Sequence, residues 1–208
     1  VGDGFWPMNQ PMRMSDGNWI MPGFVAGPYS SKGVFPPAVA ISHGNDLTKW
    51  DLVTIPVAKT VKRMWGESAI FVDGKTIYNI ARYGGNAVAL VAKSKDYGRR
   101  WSPSSPSNLT MTTSKPAAGI LSTGQRYLVC TTAKGISGKR TPLTIALSKP
   151  NENCFMPLSF FLVEKDFAVS HRARFFNKPD LSFKRRVAFF FLRRMFFAAG
   201  PAKDQQRE

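Results

Sequence analysis

Three segments of this chain repeat one another at a spacing near 50 residues, and no other feature limits the fold as much. A strand-like apolar run ends in serine three times: AVAIS at Ser42, ALVAKS at Ser94 and LTIALS at Ser148, 52 and 54 residues apart. After each serine comes a polar turn and then an aromatic ring, Trp50, Trp101 and Phe155. Upstream of each lies a second signal, SDGNWIMPG, VDGKTIYNIAR and STGQRYLVCTT, in which a tight glycine-containing turn feeds an apolar strand. Short runs of Val, Ile and Ala, broken by Gly, Pro, Asn and Ser, argue against helices over residues 10 to 150. Several strands per unit at this period is the pattern of propeller blades, where each small sheet buries its faces only against its neighbours. Three units do not close a ring, so the expectation is part of a ring of roughly four to eight blades.

The middle unit holds the sharpest motif. SKDYGRRW, Ser94 to Trp101, has the spacing S-x-D-x-G-x-x-W. Asp96 is placed to accept hydrogen bonds from the N–H groups of its own turn, Gly98 permits a positive φ, and Trp101 folds back as a plug. Ser94, Asp96, Gly98 and Trp101 thus read as a structural clasp. SHGNDLTKW, Ser42 to Trp50, is a variant one residue longer with Asp46, and SKPNENCF, Ser148 to Phe155, is a degenerate one. In register within one repeat, these segments resemble the Asp boxes of the BNR-repeat, sialidase-like proteins, which usually have Thr where this chain has Arg100. WGESAIFVDGKTIYNIARYGG, SKPAAGILSTGQRYL and GKRTPLTIALS carry the same likeness, over residues from about 10 to 155. The resemblance implies an all-β fold, part of a six-bladed propeller with antiparallel four-stranded blades. It also implies boxes at the rim away from the catalytic face, and a terminal sialic acid as substrate.

The chemistry of that family follows from its substrate. Sialic acid carries a carboxylate beside the anomeric carbon, so three arginines converge on it with charge-assisted bonds. The nucleophile is a tyrosine, because an anionic carboxylate attacking beside the substrate's own carboxylate would be repelled. A glutamate takes the tyrosine proton, and an aspartate on a loop serves as acid and base. The resemblance places three of these roles here. Glu67 in WGESA matches the glutamate that partners the nucleophile, and Arg82, fifteen residues on in NIARYGG, matches an arginine of the triad. Arg140, in SGKRTPLTIALS, matches the arginine that precedes the following blade strand. The plainer readings are a surface acid for Glu67, a structural ion pair for Arg82 and an exposed cation beside Lys139 for Arg140.

Other expected groups are missing. The first arginine and the acid/base aspartate belong upstream of the first blade, and no motif surrounds Asp3, Arg13 or Asp16. The nucleophilic tyrosine belongs about 30 residues after Arg140, where the chain reads AVSHRARFF, and the last tyrosine is Tyr127. From Met156 the repeat stops. Residues 156–208 hold 11 of the 16 phenylalanines, with 11 Lys/Arg against 5 Asp/Glu. The expectation is a propeller part over residues 1–155 and a divergent or out-of-frame basic tail over 156–208, with an amphipathic segment touching anionic membrane as the competing reading. As it stands the chain is then an incomplete and inactive sialidase-like hydrolase, the alternative being a non-catalytic carbohydrate-binding or interaction propeller.

The remaining features narrow the classes further. The net charge of +16 is spread without a dense Lys/Arg run outside the tail, which suits an acidic glycan as well as a phosphate backbone and gives no specific sign of nucleic acid. Cys130 and Cys154 lie 24 residues apart with only His43 and His171 as nitrogen partners, so neither metal nor cofactor is expected. No run approaches the roughly 18–20 apolar residues of a membrane span. The sequence begins without Met or a leader, so a secreted or periplasmic location is expected only if a signal peptide lies upstream.

Overall fold

Alternating apolar and polar side chains, interrupted by tight turns, become short strands that pair with their chain neighbours. The computed structural model describes residues 4–132, 142–148 and 159–163, the last as backbone only, all within one compact unit. Among them are three sheets, no α-helix and one 3-10 turn at Gly27–Tyr29. The first sheet begins with β1 (Phe5–Pro7), β2 (Met12–Arg13) and β3 (Trp19–Val25). After β4 (Val34–Phe35), which leaves for the next sheet, β5 (Pro37–His43) and β6 (Asp46–Thr54) complete it in the order β1-β3-β5-β6, with β2 also on β3. The second sheet is an antiparallel meander of β7 (Met64–Asp73), β8 (Thr76–Tyr83), β9 (Val88–Ser94) and β10 (Ser105–Thr110). The third repeats it with β11 (Ala117–Ile120), β12 (Arg126–Thr131), β13 (Leu143–Leu147) and β14 (Ser159–Val163).

Each sheet holds a row of four antiparallel strands, and the first two carry a fifth: in the first sheet, β2 lies on β3 beyond β1. In the second, β4 adds a fifth strand parallel to β7. β14 lies past residue 155, where the repeat in the sequence ends.

The two larger buried clusters lie between sheets, while a smaller one, Met64, Ala81 and Leu90 with Val61, lies on the second sheet itself. Ile20, Val39 and Ile41 of the first sheet pack with Ile70, Ile77 and Ala92 of the second. The opposite face of the second, with Phe71, Ile80 and Ala89, meets Leu128, Cys130 and Ala146 of the third. Consecutive residues Ile70 and Phe71 thus serve two different interfaces, as the two-residue period of a strand requires. Each of the buried Ile, Val, Leu and Phe side chains contributes about 1.5–3 kcal/mol, so much of the stability of a blade resides in its neighbours. Polar ties reinforce the contacts: Arg126 of the third sheet pairs with Asp73 of the second at 3.0 Å, and Arg99 of the second with Asp16 of the first at 3.3 Å.

All three serine-to-aromatic segments start at the connection from the third to the fourth strand of a sheet. In the second sheet, Ser94 Oγ accepts the N–H of Gly98 at 2.9 Å and donates to Asp96 Oδ1 at 2.9 Å. Asp96 Oδ1 accepts the Arg100 N–H at 2.9 Å, and the Arg100 side chain donates through Nε to Asp96 Oδ2 at 2.7 Å. Gly98 has φ +80, and Trp101 Nε1 donates to its carbonyl at 2.7 Å. The serine thus shares the amide-capping work that the sequence assigns to Asp96, and Arg100 takes part in the clasp.

The first segment is built differently. Trp50 Nε1 reaches the carbonyl three residues back, at Leu47, but Asp46 bonds only to Thr48 and Lys49 and stays exposed. Ser42 instead accepts the Trp19 N–H at 2.8 Å, as Ser148 accepts the Arg126 N–H at 2.9 Å in the third sheet. The rest of the third segment, through Phe155, lies outside the described residues.

Candidate functional site

Glu67 and Arg82 stand on adjacent strands, and the backbone register explains why they meet. β7 pairs with β8 at Met64↔Tyr83 and again at Ser68↔Ala81, so Trp65, Gly66 and Glu67 face the single residue Arg82. Such a bulge re-aims side chains and recurs beside active sites. Here it gathers Trp65 and Glu67 around one guanidinium. Arg82 Nη1 bonds Glu67 Oε2, and the guanidinium carbon lies 4.8 Å from the centroid of the Trp65 ring. Both members of the pair are largely buried, with side chains 18% and 24% exposed for Arg82 and Glu67. A charge-assisted bond shielded to this degree is stronger than an open surface pair.

Gly66 makes the bulge possible. A Cβ there would come within 2.5 Å of the Phe35 carbonyl oxygen and the Pro37 nitrogen, so only glycine lets β4 run against β7. The sequence offered this signal, a glycine inside a strand. Without the fifth strand in view, Trp65 could not be assigned to the Arg82 environment.

A buried polar knot begins at Ser68, the residue after Glu67 on β7. Asn79 Nδ2 donates to Ser68 Oγ at 2.9 Å, which donates in turn to the Gly23 carbonyl at 3.2 Å. Asn9 Nδ2 donates to the carbonyls of Ser68 at 2.7 Å and Pro116 at 3.3 Å, so one amide from the first sheet's inner segment ties all three sheets together. None of these three side chains stood out in the sequence, because no residue type marks a long-range tie.

The site and the clasp occupy opposite ends of the second sheet. Ser94 pairs with Ile77, and the Tyr97 N–H donates to the Lys75 carbonyl at 3.0 Å, which sets the clasp beside the Asp73–Gly74 hairpin. Arg82 is five residues further along β8 than Ile77, roughly 17 Å at the rise of a strand. Arg140 lies outside the described residues. Lys93 Nζ lies 5.0 Å from the centroid of the Tyr78 ring, and Tyr83 is paired with Met64 beside the bulge.

Two titrations are displaced far from their ordinary values. Partial burial pushes the Asp96 carboxyl up, but its bonds from the Arg100 side chain, the Arg100 N–H and Ser94 outweigh that and hold it at about 2. Burial between the second and third sheets pushes the Cys130 thiol up to about 12. Neither group adjoins Glu67.

Residues 6–174 match the family described as BNR repeat-like domain. No curated protein matches the chain. Among solved structures, a protein of unknown function from Dyadobacter fermentans is similar with a TM-score of 0.61 at 14% identity, over 78% of this chain and 43% of that one. A mutant of the NanB sialidase from Streptococcus pneumoniae is similar with a TM-score of 0.51 at 13% identity, over 69% of this chain and 21% of that one. The intramolecular trans-sialidase from Ruminococcus gnavus, in complex with oseltamivir carboxylate, is similar at 0.50 and 14% identity, over 74% and 33%. At such identities the likeness establishes the sialidase-type propeller fold. The matched region spans less than half of each of these proteins.

Proposed function

Because this chain belongs to the BNR repeat-like domain family, we propose that the Glu67–Arg82 end of its second blade is a sialidase-like site for the acidic end of a glycan. The observation that carries the reading is the bulge, which sets three residues of β7 against Arg82 and pairs it with Glu67. Glu67 neutralises Nη1, while Nη2 keeps its hydrogens free of any partner among the described residues and outside the buried atoms that lack one. A guanidinium held this way is pre-aimed, and a sugar carboxylate is the acceptor it suits.

In a complete site, Arg82 grips the carboxylate, Arg140 adds a second cation, and Glu67 takes the proton of a tyrosine nucleophile. The segment Ser94, Asp96, Gly98 and Trp101 is an Asp box that serves structure rather than chemistry, at the opposite end of the sheet. The substrate is a glycoconjugate with terminal sialic acid, bound without cofactor.

These 208 residues bind but do not turn over such a substrate. No tyrosine follows Tyr127, and loss of a nucleophile costs several orders of magnitude in rate. The same absence favours the second reading, a carbohydrate-binding propeller without catalysis. The experiment is a titration with N-acetylneuraminic acid followed by NMR, beside a fluorogenic sialoside assay. Saturable shifts lost in Arg82→Gln, with no turnover, are expected. Absence of saturable binding overturns the site. Turnover abolished by Glu67→Gln overturns the inactive reading and passes the nucleophile role to Tyr78 or Tyr83.

A further inference from the structure

A further cation, Arg63, stands beside the pair. The Arg63 guanidinium lies 5.1 Å from the centroid of the same Trp65 ring that Arg82 approaches at 4.8 Å, so the two are no more than about 10 Å apart. Arg63 is exposed and, among the described residues, has no carboxylate partner. Its placement is nevertheless built in. Gly84 has no positive φ, so its backbone does not demand glycine. A Cβ there would come within 2.9 Å of Trp65 Cζ3 and 3.1 Å of Arg63 Cγ. The Gly84 N–H also donates to the Arg63 carbonyl at 3.3 Å. The indole and the Arg63 stem therefore pack onto bare backbone, and glycine is there to leave them room.

The charges do not balance. Two guanidiniums share one ring, and Glu67 compensates only one of them. Each cation gains from the ring, yet within about 10 Å of one another they repel. A carboxylate that accepts from the free edge of Arg82 brings negative charge near Arg63 and offsets that repulsion. We propose that Arg63 is a further guanidinium for the acidic group of the sugar, beyond Arg82 and Arg140, and that Trp65 is the positioning residue that holds it beside Arg82. This rests on the reading of the Glu67–Arg82 end as a glycan site. It adds a specificity-determining residue outside the motifs that carry the family likeness.

The test titrates the full chain with N-acetylneuraminic acid, its methyl ester and D-glucuronic acid. Arg63→Gln is expected to weaken both acids about tenfold, as loss of one bond to a charged group does, and to leave the ester unchanged. Gly84→Ala is expected to do the same with an unchanged circular dichroism spectrum. Lys75→Gln, an exposed cation at the other end of the sheet, is expected to change nothing. Trp65→Phe keeps a ring and retains binding, whereas Trp65→Leu loses it about tenfold. If Trp65→Leu does not fold, Arg63→Gln and Gly84→Ala still decide.

Acid binding unchanged in Arg63→Gln but lost in Arg82→Gln overturns this inference and leaves the site reading intact. Equal weakening of acid and ester also overturns it, because the contact is then not to the acidic group. Arg63-dependent binding of glucuronic acid alone supports it while refuting sialic acid as the ligand. No binding of either acid to the unaltered chain overturns both.

Discussion

Replacing Gly98 with alanine tests the clasp where its geometry is tightest. Two costs add. At φ +80 an L-residue enters the left-handed region, at about 1–2 kcal/mol. The new Cβ would also lie 2.8 Å from Ile20 Cδ1 and 3.5 Å from Trp101 Cζ2. Ile20 is fully buried in the interface of the first two sheets, and wedging a methyl against such a side chain costs about 1–3 kcal/mol. Alanine also stiffens the unfolded chain, which returns about 0.5–1 kcal/mol, so the expected net loss is about 1–4.5 kcal/mol. Gly74 supplies the control. Its φ is +56 and nothing lies within 4 Å of a built Cβ, so Gly74→Ala carries the backbone cost alone, about 1 kcal/mol. Urea unfolding followed by tryptophan fluorescence and circular dichroism measures both. A third variant isolates the clash: Ile20→Val removes Cδ1 and should cost less in the Gly98→Ala background than alone, by about 1 kcal/mol of coupling. Equal losses at Gly74 and Gly98, with no coupling to Ile20, refute the packing argument.

Two more outcomes follow from the displaced titrations. Asp96 sits at about 2 against a usual 3.8, so its ionisation stabilises the fold above about pH 4, and that stability is lost as the pH falls toward 2. Its carboxyl is 29% exposed and Arg100 is 91% exposed, so solvent screening reduces the effect to about 1 kcal/mol. Asp96→Asn should therefore trail the unaltered chain by about 1 kcal/mol at pH 6 and converge on it as the pH falls through about 2, and a gap independent of pH contradicts the ion pair. Cys130, 1% exposed and pushed up to about 12, should not react with a thiol reagent at pH 8 in a Cys154→Ser background until urea is added. Rapid native labelling would mean that the interface of the second and third sheets opens.

Much of the architecture was legible because it is local. Turn residues at fixed offsets, strands ending in serine and a period near 50 residues are all visible in the chain, and they led to blades with the clasp at one shared position. Glu67 and Arg82 were legible through a motif joined to a hairpin, since the Asp73–Gly74 turn fixes which residues of two adjacent strands face each other. What the sequence concealed depends on contacts between distant segments. β4 joins β7 from some 30 residues away and in parallel, which no alternation pattern announces. Trp65 and Arg63 gain meaning only once the bulge turns them toward Arg82, and Gly84 only once their side chains rest on it. The division of labour in the clasp was hidden for another reason. Serine and aspartate both accept from backbone amides, so spacing alone does not say which one takes the Gly98 N–H.

The two-sided second sheet also governs how this architecture tolerates change in length. Ile70 and Phe71 are chain neighbours that serve opposite interfaces. One residue inserted into β7 would carry each across to the other side, corrupting two cores in a single step and displacing the bulge from Arg82. Insertions and deletions are then confined to the connections. Of these, the ones at the clasp end are already cross-linked by Asp16–Arg99 and Asp73–Arg126, whereas Gly84–Ala87, between β8 and β9, carries no ion pair among the described residues. Diversification of such a chain is polarised: one rim preserves the assembly, while the other, where Arg82 stands, is left free to acquire new specificities.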